Sequence, residues 1–258
     1  MKGHDSPPAP AVARAFQILE YLANAKAEAG ASEIATALEM NKSTCFNILK
    51  TLMQESAVIR NSNYPAYRLG PRLVELGTAS RRNFSRREQI GVMVRPLVES
   101  TGITCLISQP LPADRGAIVI DRVIPRGRDA VTAPIGQVYP ITAPAMGRVL
   151  LAVRDIEEVL AAAPDQPDLD EEELLRLLPS LDEVWEKGYG WSVEEFQEAI
   201  NAVAAPVLGA DGQVTVLLCL IGRREHFPAE RIDDYGVQLR DVARRVEAML
   251  LRDSGVGI

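Results

Sequence analysis

The sequence predicts an α/β protein of two domains, an N-terminal winged helix-turn-helix joined by a linker helix to a C-terminal α/β domain built on an antiparallel sheet. Three observations carry that prediction. Residues 32–52, SEIATALEMNKSTCFNILKTL, space their apolar side chains for two short helices and a tight turn, not for one continuous helix. Charge is divided unevenly, since residues 1–90 hold 12 Lys and Arg against 8 Asp and Glu, about +4, in a chain whose total is −7. The remainder therefore carries about −11. At 258 residues the chain is long for one domain and suits two, the larger able to bury its own core.

The opening MKGHDSPPAPA is polar and proline-rich with no apolar signal core, so residues 1–10 are expected to be a disordered tail and the protein to stay in the cytoplasm. Residues 12–24 have the spacing of an amphipathic helix with Ala15, Phe16, Leu19, Leu22 and Ala23 inward. In the next helix Ile34, Ala35 and Leu38 share a face, with Ser32 placed to cap it. Met40 fills the corner, Asn41 caps the following helix, and Cys45, Ile48, Leu49 and Leu52 are its buried face. Residues 58–60 and 64–69 read as strands around a turn at 61–63, completing a wing and a winged domain over 11–70.

In a helix-turn-helix the second helix enters the major groove, so the exposed residues Lys42, Ser43, Thr44 and Asn47 decide the function. Lysine neutralises phosphate, hydroxyls bond phosphates or base edges, and an asparagine amide pairs with adenine. Ser32, Lys50 and the wing residues Arg60 and Arg68 complete the expected DNA-contact set. An ordinary helical hairpin with polar residues facing water is the competing reading of the motif alone; the wing that follows favours double-stranded DNA.

Residues 71–83 read as a helix with Leu73, Val74 and Leu76 on one side, followed by Arg81, Arg82, Arg86 and Arg87, and 71–88 is taken as the linker. That basic cluster is either a nucleic-acid contact or a solvated face, because arginines near a helix C-terminus are favourable by themselves. Over 89–253 the expected order is a helix at 90–100, strands at 104–109, 117–123 and 129–133, and helices at 143–152, 155–162, 171–186 and 194–201. Strands at 202–208 and 214–222 and a closing helix at 230–252 complete it.

A ligand site is expected where Thr142 caps a helix opening at Ala143, with Pro144 in its first turn. Free amides around Ala145, Met146 and Gly147 would attract a carboxylate, and the small residues Ala143, Ala145 and Gly147 would let it approach. Cys45, Cys105 and Cys219 stand in apolar contexts as buried hydrophobes, and His4 and His226 lack ligand partners, so neither metal nor cofactor is expected. No run approaches the roughly 20 apolar residues of a bilayer span. G-x-S-x-G, H-E-x-x-H and G-x-x-x-x-G-K motifs are all absent. Glu194 and Glu195, on the expected helix at 194–201, would point about 100° apart and favour a helix N-terminus rather than form a catalytic pair. No enzyme, and no catalytic residue, is expected.

Five segments in order, ARAFQILEYLA, SEIATALEMNKSTCFNILKTL, YRLGPRLVELG, GQVYPITAPAMGRVLLA and VEEFQEAINAVAAPVLGADGQV, resemble the IclR family of bacterial transcription regulators over nearly the whole chain. The resemblance implies a dimer or tetramer whose winged domain grips an operator and whose GAF-like C-terminal domain binds a small effector, with repression the expected sign. It places the effector pocket at Ala145 and Met146, at Ser192 where the family often has Asp, at Ala202 where it often has Cys, and at Cys219 and Ile221 where two serines alternate. With Ala143 and Gly147 these form the expected effector set. A pocket so depleted of polar groups suits a larger, more apolar acid, aromatic acids among them. The DNA reader departs at Glu39, Asn41 and Asn47, where the family commonly has Gly, Pro and Arg, and Glu39 would need a backbone angle unfavourable for glutamate. Two alternatives remain open at this point: a DNA-binding protein without effector, and an enzyme with a winged assembly domain.

Overall fold

The computed structural model describes residues 8–25, 27–82, 86–127, 130–154, 156–162 and 171–254. The chain divides into two compact units, Met1–Phe84 and Ser85–Ile258. In the first, α1 (Pro10–Asn24), β1 (Ala29–Gly30), α2 (Ala31–Ala37), α3 (Lys42–Gln54), β2 (Val58–Arg60), β3 (Ala66–Leu69) and α4 (Pro71–Arg82) follow one another. Ile18 and Leu22 of α1, Ile34 and Ala35 of α2, and Cys45 and Leu49 of α3 meet Met40 and Tyr67 in one core. Asn41 caps α3, its side-chain oxygen accepting the Ser43 amide at 2.9 Å. Glu39 takes the strained turn, with φ at +48°, at a cost of about 1–2 kcal/mol for a residue with a Cβ.

Several expectations need correction. The inner face of α1 is Ile18 and Leu22 flanked by Ala15 and Leu19, whereas Phe16 is 62% exposed and Ala23 is also outside. Positions 15, 18, 19 and 22 repeat at three and four; 16 and 23 lie about 100° away. Ser32 does not cap α2. Gly30 does, its amide donating to Glu33 Oε2 at 3.2 Å, because Ala29 and Gly30 are already paired with Tyr67 and Ala66 as a third strand. That two-residue strand is too short to leave a periodic signal. Tyr64 and Pro65 belong to the turn, so the returning strand starts later than expected. Residues 1–7 of the expected tail and 83–85 of the expected linker lie outside the described residues.

The second unit runs α5 (Arg87–Thr101), β4 (Thr104–Pro110), β5 (Ala117–Val123), β6 (Val138–Tyr139), α6 (Pro144–Ala152), α7 (Ile156–Ala162), α8 (Glu171–Leu177), α9 (Leu181–Lys187), β7 (Gly190–Val193), β8 (Ile200–Leu208), β9 (Val214–Arg223) and α10 (Ile232–Ser254). Its six strands form one antiparallel sheet in the order β6-β5-β4-β9-β8-β7. One core gathers Leu106, Val119, Leu217 and Cys219 of the sheet with Val149 and Leu150 of α6, Val159 of α7, Leu174 of α8 and Val184 of α9. Alternate residues such as Cys105 and Val203 point the other way, toward the side where α5 and α10 pack on each other and on the sheet.

Here too the structure differs from expectation in places. Residues 130–133 form no strand, and Asp129 lies outside the described residues; β6 takes the edge beside β5 instead, with Tyr139 opposite Ala117. The helix expected at 171–186 is broken into α8 and α9 by a 3-10 turn, Leu178–Ser180, because Pro179 cannot supply an amide. Residues 194–199 are a loop, not a helix. Glu194 and Ala199 both have left-handed backbone, the Glu194 carboxylate accepts the Ala199 amide at 3.0 Å, and the Asn201 side chain accepts the Glu194 amide at 3.0 Å. Thr142 does not cap α6, whose N-cap is Ala143 with no side-chain bond.

Asn41→Ala is expected to cost about 1 kcal/mol, read as a lower urea midpoint for the unit containing α3; an unchanged midpoint would show that the cap contributes nothing.

Candidate DNA interface and effector cavity

On α3 the buried side is Cys45 and Leu49 with Ile48 and Leu52, so at about 100° per residue Ser43, Asn47 and Lys50 project from the opposite side. Lys42, Ser43, Asn47 and Lys50 are exposed and Thr44 is half-buried. Ser43 Oγ is held by Asn41 Oδ1 at 2.8 Å, which fixes the start of the exposed face. Among the described residues, neither Lys42 nor Lys50 is paired with an acid. Arg60 is exposed at the end of β2. Arg68 lies against Glu28 at 3.2 Å, a surface pair worth about 1 kcal/mol or less and readily exchanged for a phosphate. Ser32 is exposed on α2, its carbonyl accepting from Thr36 Oγ1.

In the second unit Ala143, Ala145, Met146, Ser192, Ala202, Cys219 and Ile221 line one cavity of about 80 Å³. Strand register explains the convergence: Ser192 of β7, Ala202 of β8 and Ile221 of β9 are directly opposite one another and form a transverse row. The first turn of α6 lies over that row, where Ala145 and Met146 retain amides that have no partner inside a helix.

Gly147, the eighth expected residue, is not part of the cavity. Its amide donates to the Ala143 carbonyl at 2.7 Å, and a Cβ there would stand 1.8 Å from the Ile141 carbonyl oxygen. Its smallness serves the packing of α6, not the approach of a ligand.

Val131, Thr132, Tyr139, Phe196, Gln197 and Ile200 also line the cavity and were missed. They come from segments where the sequence predicts a strand or helix that does not form, or predicts no element at all; the Tyr139 and Phe196 rings stand 5.6 Å apart. Among the described residues, no Asp, Glu, Lys or Arg lines the cavity. Burial, reinforced by Cys219, pushes the Tyr139 phenol up to about 12, so it remains a neutral donor, and burial likewise pushes the Cys219 thiol upward.

Behind this wall lies a residue to which nothing in the sequence drew attention. Arg148 is 7% exposed, within the apolar run PAMGRVLLA. Its Nε donates to Ser180 Oγ at 2.9 Å, another nitrogen donates to the Trp191 carbonyl, and two bonds of 2.9 and 2.6 Å reach the Glu195 carboxylate. The guanidinium also stands 5.3 Å from the Trp191 ring centre. This fork ties α6 to the loop carrying Phe196 and Gln197. Glu194 pairs with Arg224 at 3.1 Å, so neither glutamate serves a helix N-terminus and the two do not face one another as an acid-base pair.

Among the described residues no cluster of His, Cys, Asp and Glu is placed to hold a metal, and no helix is long and apolar enough to cross a membrane. The three cysteines are free and buried.

Comparison with known proteins matches residues 11–62 to the IclR helix-turn-helix domain and residues 84–248 to the bacterial transcriptional regulator IclR C-terminal domain. The HTH-type transcriptional regulator KdgR of Escherichia coli is 29% identical over 245 residues, covering 93% of this chain and 92% of KdgR. The HTH-type transcriptional repressor AllR of Escherichia coli is 25% identical, over 94% of this chain and 90% of AllR. Among solved structures, an IclR transcriptional regulator from Alicyclobacillus acidocaldarius is 30% identical with a TM-score of 0.75, covering 93% of this chain and 98% of that one. An IclR family regulator from Brucella abortus has a TM-score of 0.84 at 20% identity, over 96% and 95% of the two chains, a likeness of fold.

Glu195→Ala would leave the Arg148 guanidinium buried without its counter-ion and is expected to destabilise the second unit by about 2–3 kcal/mol, reduced from the fully buried case because Glu195 is partly exposed. A thermal melt unchanged by the substitution would contradict that assignment.

Proposed function

The chain belongs to the IclR family of bacterial transcriptional regulators, and from that premise we propose a repressor whose hold on operator DNA is set by an organic acid bound at the start of α6. The observation that carries the effector reading is the meeting of the Ala145 and Met146 amides with an uncharged wall in one cavity. A carboxylate placed there gains from oriented amides and the positive end of the helix dipole. The acid's apolar body lies against Ala202, Cys219 and Ile221 under the Tyr139 and Phe196 rings, and each buried methylene is worth about 0.8 kcal/mol. Two charged oxygens would meet no cation among the described residues of the cavity, so the amides and the Tyr139 hydroxyl bind and orient them.

For the DNA half, α3 lies in the major groove with Asn47 aimed at a base edge, Ser43 and Thr44 at bases or phosphates, and Lys42 and Lys50 at phosphates. Arg60 and, once released from Glu28, Arg68 hold the backbone beside the wing. Repression is favoured by the relative named a repressor, AllR. Self-association into a dimer or tetramer is supported by apolar side chains left exposed in the first unit, Val12 and Phe16 on α1 and Val74 and Leu76 on α4. The protein acts in the cytoplasm as a binder and not an enzyme, with the acid as ligand and without a metal or cofactor in the mechanism.

Fluorescence anisotropy against the gene's upstream DNA tests the DNA half. Lys42→Ala is expected to weaken specific and non-specific binding alike and to make the salt slope shallower by about 1, whereas Asn47→Ala is expected to relax discrimination at one base pair by about 1–3 kcal/mol. Unchanged affinity in both variants would contradict this placement of α3. Calorimetry tests the cavity: hexanoate and phenylacetate are expected to bind more tightly than glyoxylate, and a clear preference for glyoxylate would overturn the apolar-acid reading.

A further inference from the structure

The effector cavity does not end at Ile221. A larger cleft, of about 530 Å³, adjoins it and shares Val131 and Ile221 as a common wall. Its other boundaries include Thr104, Arg223 and His226. The transverse row Ser192, Ala202, Ile221 is continued by Thr104, which stands opposite Ile221 on β4. The sheet thus carries one floor from the first compartment into the second.

Two features of the second compartment suggest an absent partner. Thr104 is fully buried and its hydroxyl has no hydrogen-bond partner, a condition that costs about 1–3 kcal/mol when nothing fills it. Ser108, on the same face of β4, is also unpaired but lines neither compartment. Arg223 is two residues beyond Ile221 and therefore on the same face of β9. It is exposed, and among the described residues it pairs with no acid, whereas its neighbour Arg224 is engaged by Glu194. Among the described residues no acid neutralises the Arg223 guanidinium, and at the rim of a cleft walled in part by Thr104 it can meet a carboxylate or phosphate with a charge-assisted fork.

We propose that the effector is a two-ended acid: one carboxylate at the Ala145 and Met146 amides, an apolar middle across Ala202 and Ile221, and a second anionic group at Thr104 and Arg223. This rests on the acid-effector reading above and extends it. From Ile221, which both compartments share, to Arg223 the strand advances roughly 7 Å, a step that a linear dicarboxylate lying across the floor can bridge.

The test is calorimetric titration of the full-length protein with succinate, adipate and suberate, each set against the monocarboxylate of equal length, butyrate, hexanoate and octanoate. At least one dicarboxylate is expected to bind about tenfold more tightly than its partner. Arg223→Gln, at an exposed position, should abolish that ratio while leaving monocarboxylate affinity unchanged, and Thr104→Val, of equal volume, should reduce it severalfold. A ratio of one or less at every length, or a ratio that survives Arg223→Gln, overturns the two-ended proposal alone. If none of the six acids binds while phenylacetate does, the two-ended proposal alone is overturned; if phenylacetate fails as well, the acid-effector reading itself fails and carries this extension down with it.

Discussion

The effector domain depends on how closely α6 is seated. A Cβ at Gly147 would stand 1.8 Å from the Ile141 carbonyl oxygen, and one at Gly190 would stand 2.5 Å from the Ala145 carbonyl oxygen. Neither contact exists for any residue but glycine, so these two positions set the distance from α6 to the preceding turn and to β7. Two polar features near the cavity follow from that distance. It holds the Ala145 and Met146 amides over the row Ser192, Ala202, Ile221, and it brings Arg148 onto the Trp191 carbonyl and the Glu195 carboxylate.

The same helix serves two opposed environments. Toward the core, Val149, Leu150 and Leu151 are buried with Leu174, Leu177 and Val184, and toward β7 a buried cation is neutralised by a two-pronged bond. A guanidinium taken from water is tolerable only with such geometry and with its remaining donors satisfied. Ser180 and the Trp191 carbonyl supply that satisfaction. The loop at 194–199 is held by Glu195 on one side and, through Glu194, by Arg224 on the other, so Phe196 and Gln197 reach the cavity from a braced frame and not from a free loop. A ligand acts on DNA binding only through unequal affinity for two states of the protein, and an acid in the cavity would touch α6 and this loop together with the sheet row beneath them.

Much of this was legible in the sequence where a local rule and a tertiary demand agree. The apolar spacing of α3, the Asn41 cap and the corner residue Met40 could be read because a helix that must bury one face repeats at three and four. Strands β8 and β9 stood out as long apolar runs around a glycine-bearing turn. Where local and tertiary demands diverge, the reading failed. Residues 194–199 have helical composition, yet side-chain bonds from Glu194 and Asn201 close them into a loop with two left-handed residues. Ser32 looked like a cap because the pairing of Ala29 and Gly30 with β3, which makes Gly30 the cap, is non-local. Gly147 looked like room for a ligand when the room is taken by the Ile141 carbonyl, and Arg148 gave no signal since its partner Glu195 is 47 residues away.

The most direct measurement is an anisotropy titration of the full-length protein with its own upstream DNA at fixed salt, with and without a panel of aliphatic and aromatic acids. Specific binding whose midpoint moves with apolar acids of the panel, and moves less or not at all with glyoxylate, is the result this account predicts. Specific binding that no acid shifts would contradict an effector at α6, and no specific binding at all would contradict the assignment of α3 as the DNA reader.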